Sequence, residues 1–237
     1  RRWCPSSASG CTFRDLTSDI PAIAEHWKKM ELRFDALYTG YLGSPQQADI
    51  VSQFFDDFGT RDNFIVVDPV LGDAGRLYAG FNTDFVQKMT RLCAKADFIL
   101  PNMTEASFML GVPYAEDYNE VYVHDILRRL AQLGCKTPVL TGVNFNDGRQ
   151  GAVAYDSISD TFCEAFGRNV DHRFHGTGDI FSAVLIGHLL NGESLRKATR
   201  TAMDTVFRMI DRYKDTPDRN KGIPVEKCLD ILNSDNI

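Results

Sequence analysis

The chain reads HGTGD at residues 175–179, where a glycine-rich turn meets the apolar run 180–185. Gly176 and Gly178 let the backbone turn tightly and approach a ligand closely. The N–H groups that open the following helix have no partners within it, so they form a site for an anion at the positive end of the helix dipole. A carboxylate in the same turn can take a proton from an alcohol. The stretch therefore indicates phosphoryl transfer to a hydroxyl group; the alternative is a glycine-rich loop in which Asp179 only caps a helix.

The composition is that of an acidic globular protein. The 237 residues are 43% hydrophobic and carry a formal net charge of -6 at pH 7, which predicts one domain with a sizeable core. Lys and Arg do not cluster, so no nucleic-acid partner is expected. An acidic protein that binds polyphosphate needs a metal to offset charge, and Mg²⁺ is the expected ion. No apolar stretch approaches the roughly 18 residues of a membrane span, so no membrane partner is expected.

The cysteines and histidines show no pattern of metal ligands. Six cysteines are scattered along the chain without a C-x-x-C pair, which favours buried thiols in a cytoplasmic protein over disulfides or a zinc site. His26, His124 and His188 lie in predicted helices and are expected to be surface or satisfied core groups. The two cations at the N-terminus precede no apolar region, so no signal peptide is predicted.

Strand and helix patterns alternate along the chain. The periodicity predicts helices over 19–30, 46–58, 82–94, 104–110, 121–133, 179–190, 194–213 and 228–232. It predicts strands over 34–39, 64–67, 98–100, 138–141, 151–155 and 161–166. Apolar strands separated by helices indicate a parallel sheet covered on both faces. The last two strands indicate an antiparallel hairpin at its edge.

Polar residues follow four of the predicted strands. These positions are Gly40-Tyr41, Asp68-Pro69, Pro101-Asn102 and Thr141-Gly142. In open α/β sheets, ligands bind beyond the carboxyl ends of the strands. The sequence therefore predicts an active site at this edge of the sheet.

Two of these segments carry carboxylates, and each has a structural as well as a functional interpretation. Asp68 and Asp73 can hold Mg²⁺ or its waters beside a phosphate, although Asp-Pro and Gly-Asp are also ordinary turn sequences. Asn102 and Glu105 stand three residues apart at a predicted helix start, where both can face one point. The same spacing is that of a capping box, in which Glu105 reaches back to the cap.

Together these residues resemble the pyridoxal kinase branch of the ribokinase-like superfamily, specifically the bacterial pyridoxamine/pyridoxal kinases. The matching segments, in family order and at family spacing, are TFRDLT at 12–17, TGYLGS at 39–44, VDPVLGD at 67–73, LPNMTEA at 100–106 and HGTGD at 175–179. The resemblance implies a three-layer αβα sandwich with a mostly parallel central sheet and an antiparallel edge hairpin, forming one kinase domain over 1–237. It also implies that the chain lacks the family's opening βα unit, which supplies one wall of the substrate pocket.

The activity implied by this resemblance is ATP-dependent phosphorylation of the 5′-hydroxyl of pyridoxal, pyridoxine or pyridoxamine. Asp179 would be the base that takes the hydroxyl proton. The amides of Gly176, Thr177 and Gly178 would form the anion hole for the transferring phosphoryl group. Tyr41 would lie beside the pyridine ring.

Further roles follow from the same resemblance. Asp68 and Glu105 would organise the metal and its waters. The nucleotide phosphates would be contacted by Asp73, Asn102, Glu105 and Thr141. Tyr78 would lie on the loop that closes over the vitamer.

The resemblance further implies a K⁺ or Na⁺ ion near Asp68, a cytoplasmic location and a homodimer. Leu100 and Gly142 depart from the family pattern, because relatives often have Thr and Ser at these two positions. Two alternatives to the B6-vitamer kinase stay open. One is a hydroxymethylpyrimidine kinase, and the other is a truncated, non-catalytic nucleotide-binding remnant.

Overall fold

The computed structural model describes residues 14–169, 174–215 and 222–233. They belong to two compact units, which divide between Arg33 and Phe34. The first unit contains a 3-10 helix, Thr17–Asp19, followed by α1, Ile20–Lys29. Among the described helices, none is long and apolar enough to cross a membrane. The single domain over 1–237 stays a prediction.

The second unit is built on a six-stranded mixed sheet. The strands of the protein are β1 Ala36–Thr39, β2 Phe64–Val67, β3 Gly72–Asp73, β4 Arg76–Leu77, β5 Phe98–Ile99, β6 Thr137–Asn144, β7 Arg149–Asp156 and β8 Thr161–Arg168. The large sheet has the order β1-β2-β5-β6-β7-β8. Pairing is parallel from β1 through β6 and antiparallel from β6 through β8. The predicted parallel sheet with an antiparallel edge hairpin is thus confirmed.

Helices cover both faces of this sheet. They are α2 Pro45–Phe58, α3 Thr83–Cys93, α4 Met103–Leu110, α5 Glu120–Gln132, α6 Thr177–Leu190, α7 Leu195–Tyr213 and α8 Leu229–Asn233. Val66 and Val139 pack with α6, α7 and α8 in one apolar core. Their neighbours Val67 and Leu140 are fully buried and point the opposite way, to the face where α4 and α5 contact the strands. Among the described residues, the α-helices α1 to α8 each begin and end within two residues of their predicted bounds.

The antiparallel ribbon of β3 and β4 was not predicted. Its two-residue turn places Ala74 and Gly75 at φ 48° and 74°, the combination of a type I′ hairpin turn. A Cβ on Gly75 would lie 2.7 Å from the ring of Tyr114, so close packing also requires glycine here. Strands of two residues are too short to show periodicity, which is why the sequence pattern missed them.

Strand β6 runs three residues beyond its predicted end. Its antiparallel pairing with β7 continues to Asn144, with an irregularity in register between Leu140 and Val143. Gly142 lies in this irregular stretch at φ 67°, a left-handed conformation that favours glycine. The departure from the family's Ser at this position therefore coincides with a backbone conformation that disfavours Ser.

The described cysteines are free and buried, as predicted; they are Cys93, Cys135, Cys163 and Cys228. Cys4 and Cys11 lie outside the described residues. Leu100, the other departure from the family pattern, is 3% exposed and belongs to the core shared with α6 and α7. It fills apolar space rather than offering a polar contact.

Candidate functional site

The carboxyl ends of the parallel strands lie side by side, as predicted. The Asp68 N–H, directly after β2, donates to the Thr39 carbonyl at the end of β1 at 2.8 Å. The Thr141 N–H donates to the Pro101 carbonyl at 2.9 Å, and Asn102 and Thr141 form a parallel bridge. The Leu100 N–H donates to the Val67 carbonyl at 3.0 Å, so the ends of β1, β2, β5 and β6 are joined in order along one edge of the sheet.

Asn102 and Glu105 form a capping box at the start of α4. Asn102 Oδ1 accepts from the Glu105 N–H at 3.0 Å, and Glu105 Oε2 accepts from the Asn102 N–H at 2.8 Å. The other oxygen, Glu105 Oε1, accepts from the Leu71 N–H at 2.9 Å. Glu105 is 3% exposed. Asn102 and Glu105 thus form the capping box that their spacing allowed. Glu105 also anchors the loop that follows Asp68.

Two more hydrogen bonds fasten the β3–β4 ribbon to the same helix start. Asn102 Nδ2 donates to the Gly72 carbonyl at 2.9 Å, and the Gly75 N–H donates to Thr104 Oγ1 at 3.0 Å. Asp73 lies on this ribbon with its side chain exposed. The first turn of α4 therefore fixes the backbone that carries Asp73.

The first turn of α6 faces Asp68. Gly176 is the N-cap, at φ 86°, and no described side chain caps the helix. Thr177 Oγ1 donates instead to the Phe174 carbonyl, at 3.4 Å. A Cβ on Gly178 would lie 3.8 Å from Oδ2 of Asp68. The start of α6 thus lies beside a carboxylate and has no side-chain cap among the described residues.

Negative charge is concentrated around Asp68. Burial raises the pKa of the Asp68 carboxyl, and the charge of Asp179 raises it further. Burial also raises the pKa of Glu105, with the charge of Asp68 as the next cause. Desolvation raises the pKa of Asp179. Asp68 therefore lies within electrostatic range of both Asp179 and Glu105, and a cation bound beside Asp68 would lower the pKa of its carboxyl.

Tyr38 belongs to the same site, although the sequence analysis treated it only as a strand residue. Desolvation and the charge of Asp68 raise its pKa, the Asp179 charge adds to this, and a hydrogen bond with the Ser182 side chain lowers it. Tyr38 pairs in register with Val66 of β2, whose side chain packs towards α6. The alternation of side chains along β1 therefore predicts that Tyr38 points towards α6, but only once the register of β1 with β2 is known.

Tyr41 and Tyr78 both contact a third aromatic ring, that of Phe81. The ring centroids are 5.7 Å apart for Tyr41 and 6.4 Å apart for Tyr78. Phe81 in turn lies 4.3 Å from the ring of Phe85, which is 1% exposed. We call Tyr41, Tyr78 and Phe81 the aromatic trio. Phe81 was missed because it stands in a loop, after Gly80 and before the cap of α3, where no periodic pattern singles it out.

The chain is similar to known kinases over most of its length. The family model for phosphomethylpyrimidine kinase matches residues 20–224. A protein from Bacteroides thetaiotaomicron that carries the provisional name phosphomethylpyrimidine kinase is 38% identical, with a TM-score of 0.93; the match covers 97% of this chain and 80% of that one. An orthorhombic crystal form from the same organism, under the same provisional name, contains pyridoxal, and its TM-score is 0.90.

Curated relatives include pyridoxal kinases and hydroxymethylpyrimidine/phosphomethylpyrimidine kinases. Pyridoxal kinase from Dictyostelium discoideum is 27% identical over 201 residues, which are 80% of this chain and 64% of that protein. Hydroxymethylpyrimidine/phosphomethylpyrimidine kinase from Haemophilus influenzae is 29% identical over 196 residues, 77% of this chain and 67% of that protein. This chain thus spans about two thirds of the length of these relatives or less. With a family model that extends from residue 20 to residue 224, the chain belongs to the phosphomethylpyrimidine kinase family of ribokinase-like enzymes.

Proposed function

We propose that this chain transfers the γ-phosphoryl group of ATP to the 5′-hydroxyl of pyridoxal, pyridoxine or pyridoxamine. The observation that carries the proposal is the first turn of α6, where no described side chain caps the helix and where a Cβ on Gly178 would lie 3.8 Å from Oδ2 of Asp68. N–H donors at a helix start bind phosphate oxygens. A carboxylate beside them supplies the metal coordination that phosphoryl transfer needs.

Asp179 is the proposed base. It takes the proton from the substrate hydroxyl while that oxygen attacks the γ-phosphorus. The bond from the γ-phosphorus to the bridging oxygen breaks, and ADP leaves with the electron pair. The N–H groups of Gly176, Thr177 and Gly178 donate to the oxygens of the transferring group, where negative charge develops.

The acidic residues at the strand ends fit a divalent cation, and Mg²⁺ is the ion that we propose. A cation beside Asp68 offsets the charge that raises the pKa of that carboxyl and shields the phosphates from it. The oxygens of Glu105 accept hydrogen bonds from the backbone of Leu71 and Asn102, and the backbone of Gly72 is a further hydrogen-bond partner. Since a carboxylate has about four acceptor positions, one is left for a metal-bound water. Asp68 is therefore proposed to hold the ion or its waters, and Glu105 to orient a water. A monovalent cation at Asp68 stays a prediction.

Asp73, Asn102 and Thr141 are the proposed contacts of the nucleotide phosphates. Asn102 and Thr141 are neighbours across the parallel bridge, and Asp73 is carried by the ribbon that Asn102 fastens. Since Asp73 is an anion, a metal ion or a water must lie between its carboxylate and a phosphate oxygen.

The aromatic trio supports a pyridine ring as the acceptor's body. Both tyrosine rings pack on Phe81 within the roughly 4.5–7 Å range of aromatic pairs, and the exposed ring of Tyr78 leaves a surface on which a pyridine ring can pack. Tyr41 is two residues beyond the end of β1, so its position is tied to the strand that also carries Tyr38. The pyridoxal in the Bacteroides crystal form is consistent with a vitamer substrate.

Hydroxymethylpyrimidine phosphorylation is the second candidate. The family description and the Haemophilus relative favour it. Its acceptor is also a nitrogen heterocycle with a primary hydroxymethyl group, so the same base and anion hole would serve both reactions.

The test is ADP release by the full 237-residue chain with MgATP and each acceptor in turn: pyridoxal, pyridoxine, pyridoxamine and hydroxymethylpyrimidine. Product masses identify the phosphorylated alcohol. We expect the highest kcat/KM for a B6 vitamer. A higher value for the pyrimidine would establish the second candidate. Nucleotide binding without ADP release for any acceptor would overturn the kinase proposal in favour of a non-catalytic nucleotide-binding protein.

A further inference from the structure

We propose that Glu120, His124 and Glu164 form a binding site for Zn²⁺, made by α5 and the edge strand β8 and separate from the residues of the proposed phosphoryl-transfer site. Each residue offers one ligand atom, and these three atoms all lie within 4.8 Å of one another. Within the described residues, no other group of three His, Cys, Asp or Glu side chains meets this criterion.

Local structure brings the three side chains to one place. Asn119 caps α5 by accepting from the Tyr122 N–H at 3.0 Å, which sets the helix to begin at Glu120. Because residues four apart share a helix face, Glu120 and His124 project together. On β8, the side chain of Cys163 enters the core shared with α7; its neighbour Glu164 therefore points to the opposite face of the sheet.

The separations suit a first-row metal after small side-chain movements. His124 Nε2 lies 3.4 Å from Glu164 Oε1 and 3.9 Å from Glu120 Oε1. Two ligand atoms at zinc bond lengths in a tetrahedron are about 3.4 Å apart. The Glu120 side chain is 65% exposed, so it is free to move the remaining distance. Water would complete the coordination, as in other three-ligand zinc sites.

His124 supplies the second observation that points to a ligand. Its Nε2 atom is shielded from solvent and has no hydrogen-bond partner among the described residues, a costly state for a buried polar atom. The ring is held in this orientation by stacking on Phe162, at a centroid distance of 3.7 Å and an angle of 16°. We expected His124 to be a surface or satisfied core group; its Nε2 atom is instead buried without a hydrogen-bond partner among the described residues. This atom lies nearest the two carboxylates, 3.4 Å from Glu164 Oε1 and 3.9 Å from Glu120 Oε1.

Charge also favours a divalent ion here. Two carboxylates and a neutral imidazole leave two negative charges, which Zn²⁺ neutralises. The nearby cations are engaged elsewhere: Arg149, which attracts Glu164, donates to Asp147 at 2.7 and 2.9 Å. Arg128 lies over the Phe162 ring at 4.9 Å. A donor set with an imidazole nitrogen selects zinc over Mg²⁺ and Ca²⁺, which prefer oxygen throughout.

A bound ion would connect α5 to the edge strand of the sheet, so it would stabilise the folded chain without taking part in phosphoryl transfer. The test is thermal unfolding of the metal-free chain, titrated with Zn²⁺ in excess Mg²⁺, which occupies the hard carboxylate sites. We expect Zn²⁺ to raise the Tm of the unmodified chain. Glu164→Gln is expected to weaken Zn²⁺ binding at least tenfold while the metal-free Tm changes little.

Glu193→Gln is the matched control. Glu193 also faces a histidine, His188, at 2.9 Å, but Lys197 holds its other oxygen at 2.8 Å, so this variant should respond to Zn²⁺ as the unmodified chain does. Co²⁺ is a second probe, whose visible spectrum should show nitrogen and oxygen ligands. Equal Zn²⁺ responses in Glu164→Gln and the unmodified chain, a thiolate-to-cobalt band, or no Zn²⁺ response would each overturn the proposal.

Discussion

A Cβ built on Gly178 would lie 3.8 Å from Oδ2 of Asp68. Gly178 has an ordinary helical backbone as the second residue of α6, so its conformation does not require glycine. A Cβ at this position also has room, since 3.8 Å is ordinary van der Waals contact. The proposed function places the transferring phosphoryl group against this side of the turn, where an added methyl group would obstruct it.

Gly178→Ala is therefore expected to fold normally and to lose activity. Ala is favoured over Gly in a helix by about 1 kcal/mol, and 3.8 Å is ordinary van der Waals contact, so the Tm should hold or rise. The added methyl group would obstruct the approach to the first-turn N–H groups and lower kcat about 10- to 100-fold. Gly187→Ala in the same helix, where the added Cβ meets nothing within 4 Å, is the control. Equal kcat for both variants would contradict the proposed anion hole.

Asp179→Asn should lower kcat by about 10²- to 10⁴-fold, since Asn cannot take the hydroxyl proton. Nucleotide affinity, measured by calorimetry, should stay nearly unchanged because the base acts mainly in the transition state. Asp84→Asn removes a carboxylate from the same kind of position, the first turn of α3, and should leave kcat unaltered. Turnover of Asp179→Asn at the rate of the unmodified chain would rule out Asp179 as the base.

The sequence pattern predicted the fold well because the core is periodic. Strands such as β2 are apolar throughout, and helices such as α3 bury one face, so burial and periodicity carry the same information. The β3–β4 ribbon has no such pattern; it depends on hydrogen bonds from Asn102, Thr104 and Glu105 to backbone more than 25 residues away. No local rule anticipates contacts at that distance.

The candidate site was predicted only in part, for the same reason. Glycine and Asp at a helix start are local signals, and so is Asn102 three residues before Glu105. That spacing describes a capping box and a metal site equally well, and only the distance from Glu105 to Leu71 shows how the oxygens are used. Tyr38 and Phe81 reach their places through strand register and loop packing, which the linear pattern does not encode.

Glu105→Gln tests whether Glu105 acts on the metal in addition to capping α4. Gln keeps one acceptor oxygen of two, so a backbone N–H of Leu71 or Asn102 loses its partner, at a cost of about 1–3 kcal/mol in unfolding free energy. If Glu105 orients a metal-bound water, the Mg²⁺ concentration for half-maximal activity also rises. Asn119→Ala removes the cap of α5 and should cost stability without moving the Mg²⁺ curve. An unmoved curve in Glu105→Gln as well would leave Glu105 a purely structural residue.

The acidic pair predicts an unusual pH dependence of stability. The folded-state pKa values of Asp68 and Glu105 are raised above the ordinary 3.8 and 4.5, so the folded chain holds more protons than the unfolded chain between the ordinary values and the raised ones. The contribution of these two carboxyl groups to the free energy of unfolding is therefore greatest at acid pH. It falls as the pH rises, by up to about 1.4 kcal/mol per pH unit for each group.

Denaturant unfolding from about pH 5 to about pH 8 measures this slope. Mg²⁺ should stabilise the chain more at the upper end, because the metal binds the deprotonated carboxylates. Asp68→Asn should flatten the slope and reduce the effect of Mg²⁺. A slope unchanged by Asp68→Asn would mean that other groups carry the pH dependence.

Phe81→Leu should weaken vitamer binding more than it weakens catalysis. Phe81 is the ring that Tyr41 and Tyr78 share, so its replacement removes an aromatic contact that positions both tyrosines, while Leu still covers Phe85. We expect KM for pyridoxal to rise about tenfold, equivalent to about 1.4 kcal/mol of binding free energy, with kcat and the KM for ATP little changed. Phe54→Leu is the matched control, because Phe54 belongs to a separate aromatic contact with Phe58 at 4.4 Å. Equal rises in the KM for pyridoxal and for ATP would indicate a general loosening of the fold and would remove the aromatic trio from the proposed substrate site.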